Sequence, residues 1–203
     1  YQSVDITSFG NEVITLEVPP EDLNEFYRSG HIPFPEDFTA EINSSVILKC
    51  MGNSKQTALG RVRSGKICKL KNQLNTVMGL KPKNVEQQFA LDLLLDEDIK
   101  LVSLMGTAGS GKTILAVAAA LHNTLEAPLY NKVLVARPVV AMGNDIGFLP
   151  GSTEEKLRPY MQPIYDNLDY LLMSSKSKSK HGCTQASDLF EQGKLEIEPL
   201  VYI

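Results

Sequence analysis

The spacing of the hydrophobic positions changes near residue 80 of the chain. Before it, short apolar pieces are separated by glycine-containing breaks, Gly60 among them, and this pattern is typical of β structure. A helix precedes these pieces, because Pro20 suits a first helical turn and Gly30 suits the position after the last turn. Beyond it, helical and strand patterns alternate, as in a parallel α/β sheet. The sequence predicts a small mixed, mostly β module over residues 1–80 and an α/β domain over residues 81–203.

The second domain opens with a helix, a strand and another helix. Val85–Leu95 has apolar side chains at helical spacing, Leu101–Met105 is a continuous apolar strand, and Ile114–Leu125 is apolar on nearly every side, as in a buried helix. Lys132–Ala136 and Leu195–Ile203 have the pattern of further buried strands. This order predicts the α/β fold of a P-loop NTPase, with a parallel sheet flanked by helices.

A glycine-rich sequence separates the first of these strands from the helix that follows it. Its residues are Gly106, Thr107, Ala108, Gly109, Ser110, Gly111, Lys112 and Thr113. The spacing is that of a phosphate-binding loop, in which glycines let successive N–H groups turn toward phosphate oxygens. We predict that these residues bind ATP, with Lys112 on the β and γ phosphates and Thr113 on Mg²⁺ as the catalytic groups. The alternative is a glycine-rich turn with a solvated lysine.

Two amides, Asn84 and Gln87, open the helix that precedes the loop. An amide offers a donor and an acceptor together, which is what the edge of adenine requires. The stretch resembles the adenine-reading Q motif of helicase-like ATPases, which makes Gln87 and Asn84 candidate nucleotide-binding residues. Alternatively, Asn84 is a helix N-cap and Gln87 is a solvent residue.

Charge is distributed unevenly along the first domain. Nine acidic residues and one basic residue lie between Tyr1 and Ser45, whereas nine basic residues and no acidic ones lie between Val46 and Asn84. A basic face of this kind can follow single-stranded RNA, and we take Arg61, Arg63 and Lys66 as candidate contacts. No aromatic residue lies in the basic segment to stack on bases, and its cations could instead neutralise the acidic segment before them.

The composition is that of a globular protein, with 43% hydrophobic and 22% charged residues. No apolar run approaches the roughly 20 residues that cross a bilayer, and no secretory leader pattern is present. The three cysteines are far apart and lack metal-ligand spacing. We therefore expect a cytoplasmic protein with reduced thiols and no membrane partner. Because the chain begins with Tyr1 and ends in an apolar strand pattern, we expect it to be part of a longer protein.

A distinctive stretch follows Lys132–Ala136. It runs Arg-Pro-Val-Val-Ala-Met-Gly-Asn-Asp-Ile-Gly-Phe-Leu-Pro-Gly over residues 137–151, and Arg-Pro-Tyr and Met-Gln-Pro follow over residues 158–163. These motifs resemble the ATPase domain of the PhoH family, and the resemblance covers about residues 81–203. It implies a helicase-like core and an ATPase coupled to RNA binding or unwinding, with Arg137 as an RNA-contact or coupling residue. A plain salt bridge is the alternative for Arg137.

The first domain resembles the segment that joins a PIN nuclease domain to the ATPase in PIN–PhoH fusion proteins. The resemblance implies a PIN nuclease domain in the parent chain and single-stranded RNA as a partner, and we expect a homo-oligomer. In the family, the metal-binding Asp and catalytic Glu come after the strand that resembles Leu195–Ile203. The given chain does not include that pair. The spacing of Asp145, Glu154 and Glu155 fixes neither a metal nor a water, so we expect slow ATP turnover by this chain alone.

Two other functions are compatible with a phosphate loop. One is a non-catalytic, nucleotide-responsive RNA-binding module, and the other is a small-molecule kinase. A kinase of this framework would have an arginine-rich lid and an acceptor pocket, and neither is apparent in the sequence. We therefore favour the RNA-linked ATPase.

Overall fold

The computed structural model describes residues 13–138, 153–175 and 186–200 of the chain. The helices and strands of this part are β1 (Ile14–Val18), α1 (Pro20–Ser29), β2 (His31–Pro33), β3 (Ser45–Cys50), β4 (Asn53–Arg63), β5 (Lys66–Lys69), α2 (Val85–Leu94), α3 (Lys112–Leu121), β6 (Val133–Pro138), α4 (Thr153–Ser175), α5 (Ala186–Glu191) and β7 (Leu195–Leu200). The chain divides into two compact units, residues 1–73 with 83–105 and residues 74–82 with 106–203. These units are not the two predicted domains, whose boundary at residue 80 stays a prediction.

The first unit contains a five-stranded sheet in the order β1-β3-β4-β5-β2. β1 runs parallel to β3, and the other neighbours are antiparallel. One face of the sheet and helix α1 form a core of buried apolar residues, including Val18, Leu23, Phe26, Val46, Leu48, Val62 and Ile67. The predicted mostly β module is therefore present, with its core on one side of the sheet.

Helix α1 has the ends that the sequence predicts. Pro20 is its first residue, and Gly30 follows its last turn with φ 83°, a left-handed conformation that glycine adopts without steric cost. Two carboxylates in its first turn, Glu21 and Asp22, and Arg28 in its last turn complement the helix dipole. Leu23 and Phe26 are buried and attach the helix to the sheet.

Gly60 is not a break between strands, as its sequence context suggested, because it lies inside the 11-residue strand β4. A Cβ atom at this position would lie 2.7 Å from Cγ2 of Ile67 and 3.3 Å from the ring of Phe26. The glycine is thus required by close packing within the core rather than by a turn.

The second unit combines helices with a pair of parallel strands, β6 and β7. Helix α3 buries Leu115, Ala118 and Leu121 and contacts α4, which buries its own apolar face. The predicted helix after the loop is confirmed, although its last turn, His122–Glu126, is π-helical. The described part of the chain is mixed α/β, and its second unit shows a parallel pair rather than a complete parallel sheet.

The predicted strand Leu101–Met105 is wrong for this structure. The segment forms no ladder with any described strand, and the side chains of Leu101 and Met105 are 88% and 60% exposed. A strand is stabilised by a hydrogen-bonded neighbour and by burial of its side chains. Among the described residues the segment has no hydrogen-bonded neighbour, and none of its side chains is buried.

None of the described helices combines the length and apolar composition of a membrane span. Cys50 and Cys68 are free thiols, as predicted, and burial raises the pKa of Cys68. Cys183 lies outside the described residues, as do residues 139–151 of the PhoH-like motif, Asp145 among them.

Candidate nucleotide-binding site

The phosphate-loop sequence forms an exposed turn directly before helix α3. Its three glycines all have positive φ, and the angles at Gly109 and Gly111 are 77° and 91°. These values fall in the left-handed region, which residues with a Cβ avoid. A hydrogen bond of 3.3 Å from the Ser110 N–H to the Thr107 carbonyl closes the turn. The glycine positions that the sequence singled out are therefore those at which the backbone needs glycine.

Lys112 folds back over this loop. Its ammonium donates to the carbonyl of Gly106 at 2.9 Å and to that of Thr107 at 2.8 Å, and it lies 3.4 Å from the hydroxyl of Ser110. The positive charge is thus held at the centre of the loop by neutral acceptors. Anionic phosphate oxygens form stronger hydrogen bonds with an ammonium than neutral carbonyls do, so the lysine is placed to exchange these partners for a phosphate.

The start of helix α3 offers further donors to an anion. Gly111 is its N-cap residue, no side chain caps the first turn, and the turn contains no acidic residue. The first N–H groups of a helix lack intrahelical partners and carry a partial positive charge. An uncapped helix start beside a lysine ammonium is chemically suited to a phosphate group.

Thr113 is the second residue of α3 and is exposed. Its hydroxyl could contribute one ligand to Mg²⁺, an ion that uses few protein ligands when substrate phosphates and waters supply the rest. Within residues 13–138, 153–175 and 186–200, no group of three or more His, Cys, Asp or Glu side chains could hold a metal ion. The position of Thr113 at the start of α3 is compatible with a magnesium ion that a nucleotide would carry.

Asn84 and Gln87 cap helix α2. The Asn84 side-chain oxygen accepts from the N–H of Gln87 at 2.9 Å, and the Gln87 side-chain oxygen accepts from the N–H of Lys83 at 2.8 Å. The first bond satisfies an N–H group that the helix start leaves without a partner, and the second ties the residue before the N-cap to the first turn. The N-cap alternative is thus confirmed for Asn84. Both residues belong to the first compact unit and the loop belongs to the second, so contact with adenine stays a prediction.

Arg61 is not an exposed RNA contact, because its side chain is buried in the first unit. Its side chain is 1% exposed, and its Nε lies 3.0 Å from a carboxylate oxygen of Asp92, which is fully buried. Its Nη2 pairs with Asp96, and its Nη1 donates to the side-chain oxygen of Asn43. The Arg61 Nε is close to Asp92 without forming a hydrogen bond to it, and a side chain buried to this extent cannot reach RNA at the surface.

Two more cations join these carboxylates. Arg63 lies 3.3 Å from Asp96, and the Lys71 ammonium donates to Asp96 at 2.8 Å and to Asp98 at 3.2 Å. We call Arg61, Arg63, Lys71, Asp92 and Asp96 the Arg61 cluster. The expected neutralisation of the acidic segment before Val46 is wrong for these cations, because the carboxylates that balance them come from residues 92–98.

The surroundings of the Arg61 cluster raise the pKa of one of its carboxylates and lower the pKa of the other. Burial raises the pKa of Asp92, and neither the N–H of Asn72 nor the charge of Arg61 outweighs it. Burial would also raise the pKa of Asp96, but hydrogen bonds from Lys71 and Arg61 outweigh it and lower that pKa. The same bonds to Asp96 and Asp98 raise the pKa of Lys71. Asp96 therefore stays ionised and holds the cations together.

Sequence reasoning missed this cluster, although one signal was available. Asp92 interrupts the apolar stretch Phe89–Leu95, which places one carboxylate on the buried side of α2, and Asp96 follows directly after that stretch. Buried carboxylates require cationic partners, and the nearby surplus of cations is in the β module.

The remaining candidates occupy exposed positions or lie beyond the described part. Lys66 is exposed at the start of β5, and Arg137 is exposed near the end of β6. Glu154 and Glu155 lie in the first turn of α4, where the structure describes the backbone alone. The structure thus brings together the phosphate-loop residues, but not the RNA candidates.

Comparison with known proteins identifies a family whose match includes the phosphate loop. Residues 79–203 match the family described as PhoH-like protein. The chain is 50% identical over 127 residues to Protein PhoH2 of Bacillus subtilis (strain 168), covering 63% of this chain and 28% of that protein. It is 35% identical over 205 residues to Protein PhoH2 of Mycolicibacterium smegmatis, covering 100% of this chain and 44% of that protein.

A third relative, Protein PhoH2 of Thermobispora bispora, is 33% identical over 189 residues, covering 93% of this chain and 41% of that protein. The chain spans less than half the length of each of these relatives. No solved structure matches it significantly. Because the family match covers more than half of the chain and coincides with a formed phosphate loop, the chain belongs to the PhoH-like family of P-loop NTPases.

Proposed function

We propose that the chain binds Mg·ATP through residues 106–113 and that the parent protein couples its hydrolysis to RNA binding or unwinding. The observation that carries the binding step is the loop itself. Three glycines with positive φ, an uncapped helix start and the Lys112 ammonium converge on one exposed turn. Each feature favours an anion, and together they fit a chain of phosphates better than a single solvated lysine.

Hydrolysis is a further part of the proposal. Phosphoryl transfer depends on positioning and on stabilisation of charge by a lysine and a metal ion. Lys112 and Thr113 would supply the lysine and one metal ligand. Membership of a P-loop NTPase family supports the reaction class.

Titration calorimetry of the wild-type chain with ATP and with adenosine tests the binding step. The loop recognises phosphates, so in the presence of Mg²⁺ ATP should bind at least about a hundredfold more tightly than adenosine, which corresponds to about 2.7 kcal/mol. Inorganic tripolyphosphate should compete with ATP. Equal affinities for ATP and adenosine, or no saturable binding of ATP, would refute a phosphate site in this loop.

The proposal for RNA rests on cations that the Arg61 cluster does not use. Alternation along the strands places Lys49 and Lys66 on the face of the sheet opposite the apolar core, and Lys55 is exposed on β4 where its register with β3 shifts. Lys69 is less available, because its ammonium donates to the Tyr27 carbonyl at 2.6 Å. We therefore no longer propose Arg61 and Arg63 as contacts with RNA phosphates. We propose Lys49 and Lys55 in their place.

Other parts of the proposal concern the parent protein. Arg137 remains a proposed RNA-contact or coupling residue, and Gln87 a proposed contact with adenine. A PIN nuclease domain and a homo-oligomer are proposed from the family resemblance alone. The longer lengths of the relatives are compatible with an additional domain.

A further inference from the structure

The ring of Tyr27 is exposed beside the end of strand β5. Tyr27 lies in the last turn of α1 and is 44% exposed, although its neighbour Phe26 is buried in the core of the first unit. The Tyr27 hydroxyl donates to the carbonyl of Thr57 on β4 at 2.8 Å. Because β5 pairs with β4 only from Gly60 to Arg63, Thr57 lies beyond the end of that pairing. The hydrogen bond therefore holds the ring against a part of β4 that β5 does not cover.

A positive charge accompanies this ring. The ammonium of Lys69, the last residue of β5, lies 5.9 Å from the centre of the Tyr27 ring. It donates to the Tyr27 carbonyl at 2.6 Å, and this bond keeps it beside the ring while using one of the three N–H donors of an ammonium. Glu25, the acidic residue two positions before Tyr27, is paired with Arg28. The ring thus has a cation beside it, and the carboxylate closest to it along the helix is neutralised.

Two lysines that we propose as phosphate contacts lie near the residue that anchors the ring. Thr57 pairs with Lys49 across the ladder between β3 and β4, and Lys55 precedes Thr57 by two residues on β4, a separation of about 6.6 Å in a strand. The basic segment from Val46 to Asn84 contains no aromatic residue. The fold supplies one from the acidic segment before it.

Cations and a ring together are what a single strand of RNA requires. Proteins that bind single strands combine cations along the phosphate backbone with aromatic side chains on which bases stack. An exposed tyrosine by itself is an ordinary surface residue, but the Tyr27 ring is fixed by its helix at one end and by Thr57 at the other. A side chain that is already held loses little conformational entropy when a base stacks on it.

We propose that Tyr27 is a stacking platform for one base of single-stranded RNA, with Lys69 attracting the phosphate next to that base. This inference rests on the proposed binding of RNA by the β module, and it names the residue that contacts a base rather than a phosphate. Stacking accepts any base, because every base has an aromatic face. The platform therefore contributes affinity for a single strand without selecting a sequence.

The first test measures how Tyr27→Leu, in the full chain, binds two single strands. One is oligouridylate of about twelve nucleotides, and the other has the same length and charge but no bases. Tyr27→Leu keeps an apolar side chain and removes the ring, so it should bind oligouridylate about fivefold to a hundredfold more weakly than wild type. Its affinity for the abasic strand should be unchanged. The slope of log affinity against log salt concentration should also be unchanged, because no charge is lost.

Two variants serve as controls. Tyr27→Phe keeps the ring and should retain most of the preference for oligouridylate over the abasic strand. Tyr170→Leu removes a tyrosine that is 55% exposed on α4 and should bind both strands like wild type. If Tyr27→Leu lost affinity equally for both strands, the ring would have only a structural role and the proposal would be overturned.

The second test needs no substitution and covers the case in which Tyr27→Leu does not fold. Ultraviolet light cross-links 5-iodouridine to aromatic side chains that stack on it. With wild type bound to an oligouridylate that contains this base, the cross-linked peptide should be the one that includes Tyr27. Cross-links confined to peptides without Tyr27 would overturn the proposal.

Binding of oligouridylate to wild type separates this inference from the proposed function. If wild type shows no salt-dependent binding, the RNA part of the proposed function fails and this inference fails with it. If wild type binds but Tyr27→Leu has the same affinity for both strands as wild type, RNA is held elsewhere and the inference alone is wrong.

Discussion

The substitution Arg61→Met should strongly destabilise the first unit. It removes the closest cation of Asp92, which is fully buried, and leaves Asp92 only the longer pair with Arg63 at 3.7 Å, whereas Arg63 and Lys71 still reach Asp96. Removing one partner of a buried ion pair typically costs about 3–5 kcal/mol. With a urea dependence of about 2 kcal/mol per M, the midpoint of unfolding should fall by about 1.5–2.5 M.

Urea titrations followed by circular dichroism measure this effect, with Arg28→Met as the control. The control removes an exposed pair with Glu25, and its midpoint should shift far less, because water screens exposed charges. The double variant Arg61→Met with Asp92→Leu removes both buried charges and should recover most of the loss. The reasoning would be refuted if Arg61→Met and Arg28→Met had equal midpoints, or if the double variant were less stable than Arg61→Met.

Three further predictions concern the metal, RNA and pH. Thr113→Ala should weaken ATP binding in Mg²⁺ but not in EDTA, and an equal loss in both would remove the metal role. Changing Lys49, Lys55 and Lys66 to Glu should make the slope of log RNA affinity against log salt concentration shallower by about 2. Each lost phosphate contact accounts for roughly 0.7 of this change. An unchanged slope would exclude this face of the sheet as an RNA contact. Because the pKa of Asp96 is lowered in the folded state, its ionised form stabilises the fold above about pH 5, and this contribution is lost as the pH falls below about 4. The free energy of unfolding of wild type should thus exceed that of Asp96→Asn at pH 7 and approach it at pH 3, and a constant difference would contradict the assignment.

Local signals in the sequence were sufficient for the elements whose ends are set by single residues. Pro20 and Gly30 bound helix α1 because proline fits a first turn and glycine fits a left-handed terminus. The phosphate loop was equally predictable, since the conformations at Gly109 and Gly111 follow from the absence of a Cβ atom. In these cases the residue type and its neighbours along the chain determine the backbone.

Features that depend on distant partners were not predictable in this way. Gly60 looked like a turn residue, but its role follows from the approach of Ile67 and Phe26. Arg61 looked like a surface cation, yet two carboxylates 31 and 35 residues further along the chain bury it. A local excess of charge does not show whether tertiary packing will supply the compensating partner.

The prediction of a strand at Leu101–Met105 was wrong for a related reason. An apolar run predicts burial, but a strand also needs a hydrogen-bonded neighbour, and the identity of that neighbour cannot be inferred from the run itself. Among the described residues, none pairs with it.

The most direct test of the central claim is ATP binding by Lys112→Ala. The ammonium of Lys112 lies within the loop, 2.8 Å from the Thr107 carbonyl, and a hydrogen bond to a charged group contributes about 1.5–3 kcal/mol. Fluorescent-ATP titration should therefore show affinity about tenfold to a hundredfold weaker than that of wild type. Lys132→Ala, which removes an exposed lysine paired with Glu196, should bind like wild type. Unchanged affinity in folded Lys112→Ala would mean that residues 106–113 do not hold the phosphates.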